Sequence, residues 1–213
     1  MENAKIISVQ NITFSYGSQK ILDEFSAEFE KGSFTCILGE SGSGKSTLLR
    51  IINGLLLPRE GGVKIENDLL TRKNLIQKRR EMGYVLQGNS LFPHLTVFQN
   101  MAYCLKLLKK SDVFCKERIA ELLPLVGLKE DLLNKFPNEI SGGQKQRVGI
   151  IRAIAHDPKI VLMDEPFSAL DSETRDKLQL LVKDIHQKLQ TTFVMVTHSR
   201  PEAEILATHL LEL

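Results

Sequence analysis

Residues 39–46 read GESGSGKS, a full match to the pattern G-x-x-x-x-G-K-[ST] of a loop that binds phosphate groups. Its three glycines let the backbone curl so that successive N–H groups point at phosphate oxygens. Lys45 can neutralise the β- and γ-phosphates, and the hydroxyl of Ser46 can reach Mg²⁺. A structural glycine turn is the alternative, but an apolar run precedes this loop and a helical apolar pattern follows it. The sequence therefore predicts a nucleoside triphosphate site.

An acidic pair, Asp164 and Glu165, follows the apolar run at residues 159–163. Asp164 closes that run, where a carboxylate can be held rigidly near a metal ion. Glu165 can then polarise the water that attacks the γ-phosphate, as a general base. A solvated acidic pair at a strand end is the simpler alternative. The phosphate loop favours the catalytic interpretation.

A second glycine motif, SGGQ at residues 141–144, begins 96 residues after Lys45. Ser141 is a favourable helix N-cap, and two glycines leave the amides of the first helical turn open to an anion. The four residues alone are equally typical of an ordinary helix start. Their continuation as KQR at residues 145–147 favours a second anion site.

Three nearly continuous apolar runs predict parallel strands that are buried on both faces. They span residues 34–38, 159–163 and 192–197. Each run is followed at once by polar residues. Because ligands bind beyond the carboxyl ends of such strands, we expect residues 39–46, Asp164 and His198 to converge on one edge of the sheet.

The remaining segments, together with the parallel strands, predict a fold of the α/β class. Alternating apolar residues at 6–14 and 21–29, around a turn at 16–19, predict an N-terminal antiparallel β arm. Residues from about 88 to 156 are predicted to form a helical subdomain. It is inserted in the P-loop core, which consists of the phosphate-binding loop (P-loop) and the parallel sheet. We expect residues 1–213 to form a single domain.

Composition narrows the functional classes. With 28 basic and 26 acidic residues the net charge is only +2, which argues against nucleic acid as a partner. A basic stretch at residues 72–80 is typical of a solvated helix face, in bulk water or near a membrane-associated partner. Cys36, Cys104 and Cys115 lack metal-ligand spacing, so we expect reduced, structural thiols in a cytosolic protein.

The sequence shows neither the pattern of an export signal nor that of a membrane-spanning segment. Residues 1–5 lack the pattern of an export signal, and no uninterrupted apolar run approaches the roughly 20 residues that span a bilayer. If the protein works at a membrane, we expect a partner to supply the membrane part.

Taken together, the motifs resemble those of an ATP-binding cassette (ABC) ATPase, the nucleotide-binding subunit of an ABC transporter. The glycine loop, ISGGQ at 140–144, IVLMDE at 160–165 and SALD at 168–171 occur in the family's order and spacing. The resemblance covers nearly the whole chain. It implies that residues 141–144 of one copy contact the γ-phosphate held by the glycine loop of a second copy, so that two subunits enclose two ATP molecules.

The resemblance also assigns roles to single positions. Gln87 resembles the glutamine that contacts Mg²⁺ and the attacking water, and His198 the histidine that reaches the γ-phosphate and positions Glu165. Tyr16 resembles the aromatic residue that stacks on adenine, and Asp171 the residue that couples two sites across a dimer. From the residues alone, Tyr16 could instead be a hairpin core residue and His198 a surface histidine.

These interpretations define the predicted site. Its catalytic residues are Glu165, His198 and Gln87, and its metal ligands are Ser46, Gln87 and Asp164. The nucleotide-binding residues are Tyr16, Gly39, Glu40, Ser41, Gly42, Ser43, Gly44, Lys45, Ser46, Thr47, Gln87, Ser141, Gly142, Gly143, Gln144 and Asp171. Two positions depart from the family pattern: Ile140 replaces a leucine, and Ser199 stands where an acidic residue often follows the histidine.

The resemblance implies ATP and Mg²⁺ as cofactors and transmembrane permease subunits as partners, with a solute-binding protein possible through the permease. It places the chain in the cytoplasm, peripheral on the inner face of the cell membrane. Residues 91–97 and 136–140 resemble bacterial importer subunits, with some likeness to those for osmoprotectants, polyamines or amino acids. A mechanotransmission ATPase in lipid or lipoprotein trafficking or cell division is the alternative. Chromosome and DNA-repair ATPases need a long coiled coil that a 96-residue spacing leaves no room for.

Overall fold

The computed structural model describes residues 4–88 and 90–213. Part of the amino-terminal segment examined for an export signal, residues 1–3, lies outside them. The strands are β1 (Lys5–Tyr16), β2 (Gln19–Glu30), β3 (Phe34–Leu38), β4 (Glu60–Ile65), β5 (Asp68–Leu69), β6 (Met82–Val85), β7 (Ile160–Asp164), β8 (Thr192–Thr197) and β9 (His209–Glu212). The α-helices are α1 (Lys45–Ile52), α2 (Leu75–Arg80), α3 (Val97–Met101), α4 (Tyr103–Leu107), α5 (Asp112–Leu122), α6 (Gly142–Ile154), α7 (Ser172–Leu189) and α8 (Arg200–Leu206).

An antiparallel sheet with the strand order β2-β1-β4-β5 contains the predicted hairpin. The hairpin prediction is confirmed, with β1 and β2 joined at Gly17 and Ser18. Strand β4 pairs with β1 where Gly61 lies so close that a Cβ atom there would be 2.2 Å from the Gln10 carbonyl oxygen. Gly61 also has φ +75, so glycine is the residue that this pairing requires.

A parallel sheet with the order β6-β7-β8-β3-β9 forms the centre of the molecule. Every residue of β3, β7 and β8 is buried, which confirms the three strands predicted from continuous apolar runs. Side chains alternate along β7: Ile160 and Leu162 join the core shared with the β arm and α1, whereas Val161 and Met163 pack on the opposite face with α6. Each such fully buried side chain stabilises the fold by about 1.5–3 kcal/mol.

The stretch between β6 and β7 is mostly helical, as predicted, and carries α3 to α6 with 3₁₀ turns at Pro124–Val126, Glu130–Leu132 and Pro137–Glu139. Asn100 is completely buried and holds the preceding loop by bonding the carbonyl oxygens of Phe92, Leu95 and Thr96. Asn89, in the segment before this loop, lies outside the described residues. None of the helices in residues 4–88 and 90–213 has the length and apolar character of a membrane-spanning helix.

Two of the five basic residues at positions 72–80 are less solvated than the sequence suggested, whereas the other three are exposed as predicted. Lys78 has a side chain only 12% exposed and forms an ion pair with Asp68. Arg79 donates a hydrogen bond to the Gly54 carbonyl oxygen at 2.7 Å. Both side chains therefore anchor α2 to the arm and to the end of α1, because each finds a partner within the fold.

The cysteines are free thiols, in agreement with their predicted structural role. Cys36 and Cys115 are buried, and Cys104 is half-buried. Burial raises the pKa of the Cys36 thiol to about 12, so this residue stays a neutral thiol at physiological pH.

Candidate functional site

The glycine loop runs from the end of β3 to the start of α1 and wraps around Lys45, which is only 4% exposed. The Lys45 ammonium donates hydrogen bonds to the carbonyl oxygens of Gly39 at 2.8 Å and Glu40 at 2.6 Å. These contacts aim a positive charge into the loop. The first turn of α1 has no side-chain cap and no acidic residue, so its N–H groups stay free for an anionic ligand.

Two glycines set the curvature of the loop. Gly42 has φ +86 and Gly44 has φ +101, a backbone conformation that side chains with a Cβ atom rarely adopt. A Cβ atom on Gly44 would also lie 2.9 Å from Ile21 Cγ2 of the β arm. Glycine at both positions is therefore a requirement of the loop geometry.

Ser46, the second residue of α1, donates a 2.7 Å hydrogen bond from its hydroxyl to Asp164 Oδ1 at the end of β7. Asp164 is 3% exposed, and no basic side chain in residues 4–88 and 90–213 forms an ion pair with it. Burial and the Asp164 charge together raise the pKa of Tyr84 on the neighbouring strand. A buried carboxylate beside a hydroxyl oxygen is a donor set that fits Mg²⁺, because hard cations take oxygen ligands and a buried charge needs a counter-charge.

Glu165 follows Asp164 and holds a strained backbone, with φ +41. Its N–H bonds the Val196 carbonyl oxygen on β8 at 3.1 Å, which fixes the residue against the central sheet. Gln87 Nε2 donates to one carboxylate oxygen at 3.1 Å, and His198 Nδ1 lies 3.4 Å from the other. Strain of this kind concentrates at functional sites, where the surrounding structure enforces it.

The structure thus gathers side chains from the ends of four strands, β3, β6, β7 and β8, at one edge of the sheet. The Glu165 side chain is 19% exposed and that of His198 is 59% exposed, so the cluster opens to solvent. A water molecule can enter at this edge. The arrangement can bind a phosphate group in the glycine loop and activate a water beside it.

The second glycine motif lies at a separate cavity. Ser141 caps α6 in a reciprocal box with Gln144: the Ser141 hydroxyl accepts the Gln144 N–H at 3.3 Å, and Gln144 Oε1 accepts the Ser141 N–H at 2.8 Å. The hydroxyl hydrogen of Ser141 remains available to donate to an anion. Residues 141–144 line a cavity of about 640 Å³ together with Asp171 and Arg147. Within the described residues, its lining includes none of residues 39–46.

Asp171 occupies the N-cap of α7 at the rim of this cavity. Its carboxylate accepts the Thr174 backbone N–H at 3.0 Å. This bond holds the pKa of Asp171 below its usual value, so the side chain is charged at neutral pH. A charged Asp171 therefore caps α7 at the edge of the cavity that residues 141–144 line.

Tyr16 ends β1 and is 46% exposed, with its ring edge-on to Phe14 at a centroid distance of 5.0 Å. The ring is therefore a surface residue and not a buried hairpin core residue. Its exposed part is free to pack against a flat ligand.

The sequence interpretation missed a group next to the cluster, formed by the buried Thr197 and Glu202 and the partly exposed Arg175. Glu202 is 8% exposed and bonds the Thr197 hydroxyl at 2.6 Å. A usable signal was present, since Ser199 and Glu202 have the S-x-x-E spacing of a capping box at the start of α8.

Comparisons with known proteins agree with this geometry. Residues 22–168 match the family model described as ABC transporter. The chain is 50% identical over 209 residues to the ergothioneine transport ATP-binding protein EgtV of Helicobacter pylori (strain G27), covering 98% of this chain and 97% of that protein. It is 42% identical over 205 residues to the glycine betaine uptake system ATP-binding protein YehX of Escherichia coli (strain K12), covering 96% of this chain and 67% of that protein.

A solved structure supports the same assignment. The dimeric ATP-binding cassette MJ0796, in a post-hydrolysis state bound to ADP and Pi, matches with a TM-score of 0.85 and 36% identity over 98% of this chain and 94% of that one. The chain belongs to the ABC transporter family and has its mixed α/β cassette fold. It is the importer-like ATP-binding subunit of such a transporter and hydrolyses ATP. Subunits of this kind work with transmembrane permease subunits and form dimers.

Proposed function

We propose that this chain hydrolyses ATP with Glu165 as the general base and uses that reaction to power import of a small solute. One observation carries the proposal: the Glu165 carboxylate lies between Gln87 and His198, in the residue after Asp164, which is bonded to the phosphate loop through Ser46. A carboxylate held from both sides can orient an attacking water and accept its proton.

Each part of the site has a role in this proposal. The N–H groups of the glycine loop and Lys45 bind the phosphates and withdraw charge from the terminal one. Mg²⁺, when bound by Ser46, Gln87 and Asp164, supplies further positive charge to the phosphate oxygens. Gln87 and His198 hold the Glu165 carboxylate, and His198 is exposed enough to reach the γ-phosphate.

Closure of a dimer completes the site. Residues 141–144 lie at a cavity of their own, where the amides of Gly142 and Gly143 at the N-terminus of a 13-residue helix are open to a ligand. In a twofold dimer these amides and the Ser141 hydroxyl face the γ-phosphate held by the partner copy, and Asp171 lies at the contact. Binding of ATP then favours the closed dimer, because the nucleotide contacts both copies.

The solute class follows from the relatives. Ergothioneine and glycine betaine, named for EgtV and YehX, are both trimethylammonium carboxylates. We infer that the permease partner of this chain imports a solute of that class, delivered by a solute-binding protein. The chain then lies on the inner face of the cell membrane, where ATP is available.

Uptake measurements test this assignment. In cells that lack the native chain, wild-type protein should restore uptake of radiolabelled glycine betaine or ergothioneine, and Glu165→Gln should not restore it, because import needs hydrolysis. Radiolabelled putrescine and sulfate serve as comparison solutes. Restored uptake of putrescine or sulfate alone would show that the trimethylammonium class is wrong, and no effect on any solute would contradict import.

The adenine contact gives a second prediction. Tyr16→Ala should raise the Kd for ATP by about tenfold, since stacking of a base on an aromatic ring contributes about 1–3 kcal/mol. Tyr16→Phe keeps the ring and should bind ATP as the wild type does. Titration calorimetry with ATP and GTP measures both, and the loss should be similar for the two bases because each has an aromatic face. An unchanged Kd for Tyr16→Ala would remove Tyr16 from the site.

A further inference from the structure

The buried Thr197 hydroxyl clamps the loop that carries His198. Thr197 ends β8 and is 1% exposed. Its Oγ1 donates to Glu202 Oε2 at 2.6 Å and accepts the Ser199 N–H at 3.0 Å. A hydroxyl has a single hydrogen. Because Thr197 donates that hydrogen to Glu202, the lone pairs of its oxygen have a fixed direction in which to accept the Ser199 N–H. His198 therefore lies between two residues that share one fixed hydroxyl.

Glu202 departs from the capping box that its spacing predicts. In that box its carboxylate would accept the Ser199 N–H, but the Ser199 N–H bonds Thr197 instead. Only half of the box forms, with Ser199 Oγ accepting the Glu202 N–H at 3.5 Å. The carboxylate is thus diverted from its own helix to the end of β8.

Arg175 places a positive charge near the buried carboxylate of Glu202. Arg175 Nε of α7 lies 4.0 Å from Glu202 Oε1. The same guanidinium donates from Nη2 to the Leu170 carbonyl oxygen at 2.8 Å, which holds it at the start of α7. Arg175, Thr197 and Glu202 line a cavity of about 330 Å³ together with Glu165 and His198, so the clamp is part of the wall around the catalytic carboxylate.

We propose that Glu202 is a positioning residue for hydrolysis, which sets the direction of His198 through the Thr197 hydroxyl. The inference rests on the role of His198 in the proposed function. Glu202 acts through the Thr197 hydroxyl, to which its carboxylate is bonded at 2.6 Å. It fixes the backbone on both sides of His198, and His198 then contacts Glu165 at 3.4 Å.

The first test separates hydrolysis from binding. Thr197→Val removes the hydroxyl and keeps the branched shape, and it should lower kcat by about tenfold, because small misplacements of catalytic groups reduce rates strongly. The KM for ATP should stay within about twofold, since the glycine loop is untouched. Glu202→Gln should reduce kcat in the same direction. Glu204→Gln, an exposed substitution on the same helix, is the matched control and should leave kcat unchanged.

The conservative variant and the thermal midpoint identify a folding defect. Thr197→Ser keeps the hydroxyl and should retain nearly the wild-type kcat, with a similar thermal unfolding midpoint. If Thr197→Val lowers kcat only to the extent that it lowers the folded fraction, the clamp is merely structural and the proposal is wrong.

The decisive test repeats Thr197→Val in a His198→Ala background. If the clamp acts through His198, the second substitution should change kcat by no more than about twofold, because the group it positions is already gone. A further tenfold loss in that background would overturn the proposal. If His198→Ala alone leaves kcat unchanged, the role of His198 in the proposed function fails instead, so the two failures are distinguishable.

Discussion

Glu165→Gln is expected to lower kcat for ATP hydrolysis by about 100-fold or more, the usual effect of removing a general base. An amide has nearly the shape of the carboxylate and can still accept the hydrogen bond from Gln87, so the strained backbone and the surrounding contacts should persist. It cannot take a proton from water at neutral pH. Phosphate release under saturating ATP measures the loss.

The same variant should accumulate as an ATP-bound dimer, because closure needs only binding and reopening needs hydrolysis. Gel filtration with ATP should show a dimer for Glu165→Gln, and without nucleotide the dimer peak should be lost. Glu117→Gln, at an exposed position on α5, controls for the change of charge and should behave as the wild type. A variant that stays monomeric with ATP and hydrolyses it at the wild-type rate would remove Glu165 from the mechanism.

The strands that a local pattern defines were predictable, and the strands that depend on distant pairing were not. Continuous apolar runs identified β3, β7 and β8 because these strands are buried on both faces. Strand β4 contains Glu60, Gly61 and Lys64, which give no apolar run or clean alternation. Its pairing with β1 depends on a close approach to Gln10 that only a glycine permits, and such a contact between distant residues leaves no local pattern.

The candidate site divides in the same way. The rule that ligands bind beyond the carboxyl ends of parallel strands brought the glycine loop, Asp164 and His198 to one edge, and the Ser46 and Glu165 contacts show that convergence. The clamp by Thr197 and Glu202 was not predicted. Its sequence signal indicates a capping box, and the carboxylate leaves that box for a strand end whose position only the folded chain provides.

Lys45→Ala should raise the Kd for ATP by about 30-fold or more, because truncating a nearly buried, hydrogen-bonded charge costs about 2–5 kcal/mol of binding energy. The Lys45 ammonium also bonds the carbonyl oxygens of Gly39 and Glu40, so its loss weakens the loop before any nucleotide arrives. Lys188→Ala, at a solvent-exposed ion pair on α7, should bind ATP normally.

Thermal unfolding with and without ATP distinguishes lost binding from lost folding. A ligand at about 100 times its Kd stabilises the native state by about 2.7 kcal/mol, so ATP should raise the unfolding midpoint of the wild type and of Lys188→Ala. Lys45→Ala should unfold cooperatively at nearly the wild-type midpoint without ATP and show little increase with it. Because the phosphates of ATP have no other buried cation in the loop to bind, a wild-type increase in this variant would mean that residues 39–46 are not the nucleotide site.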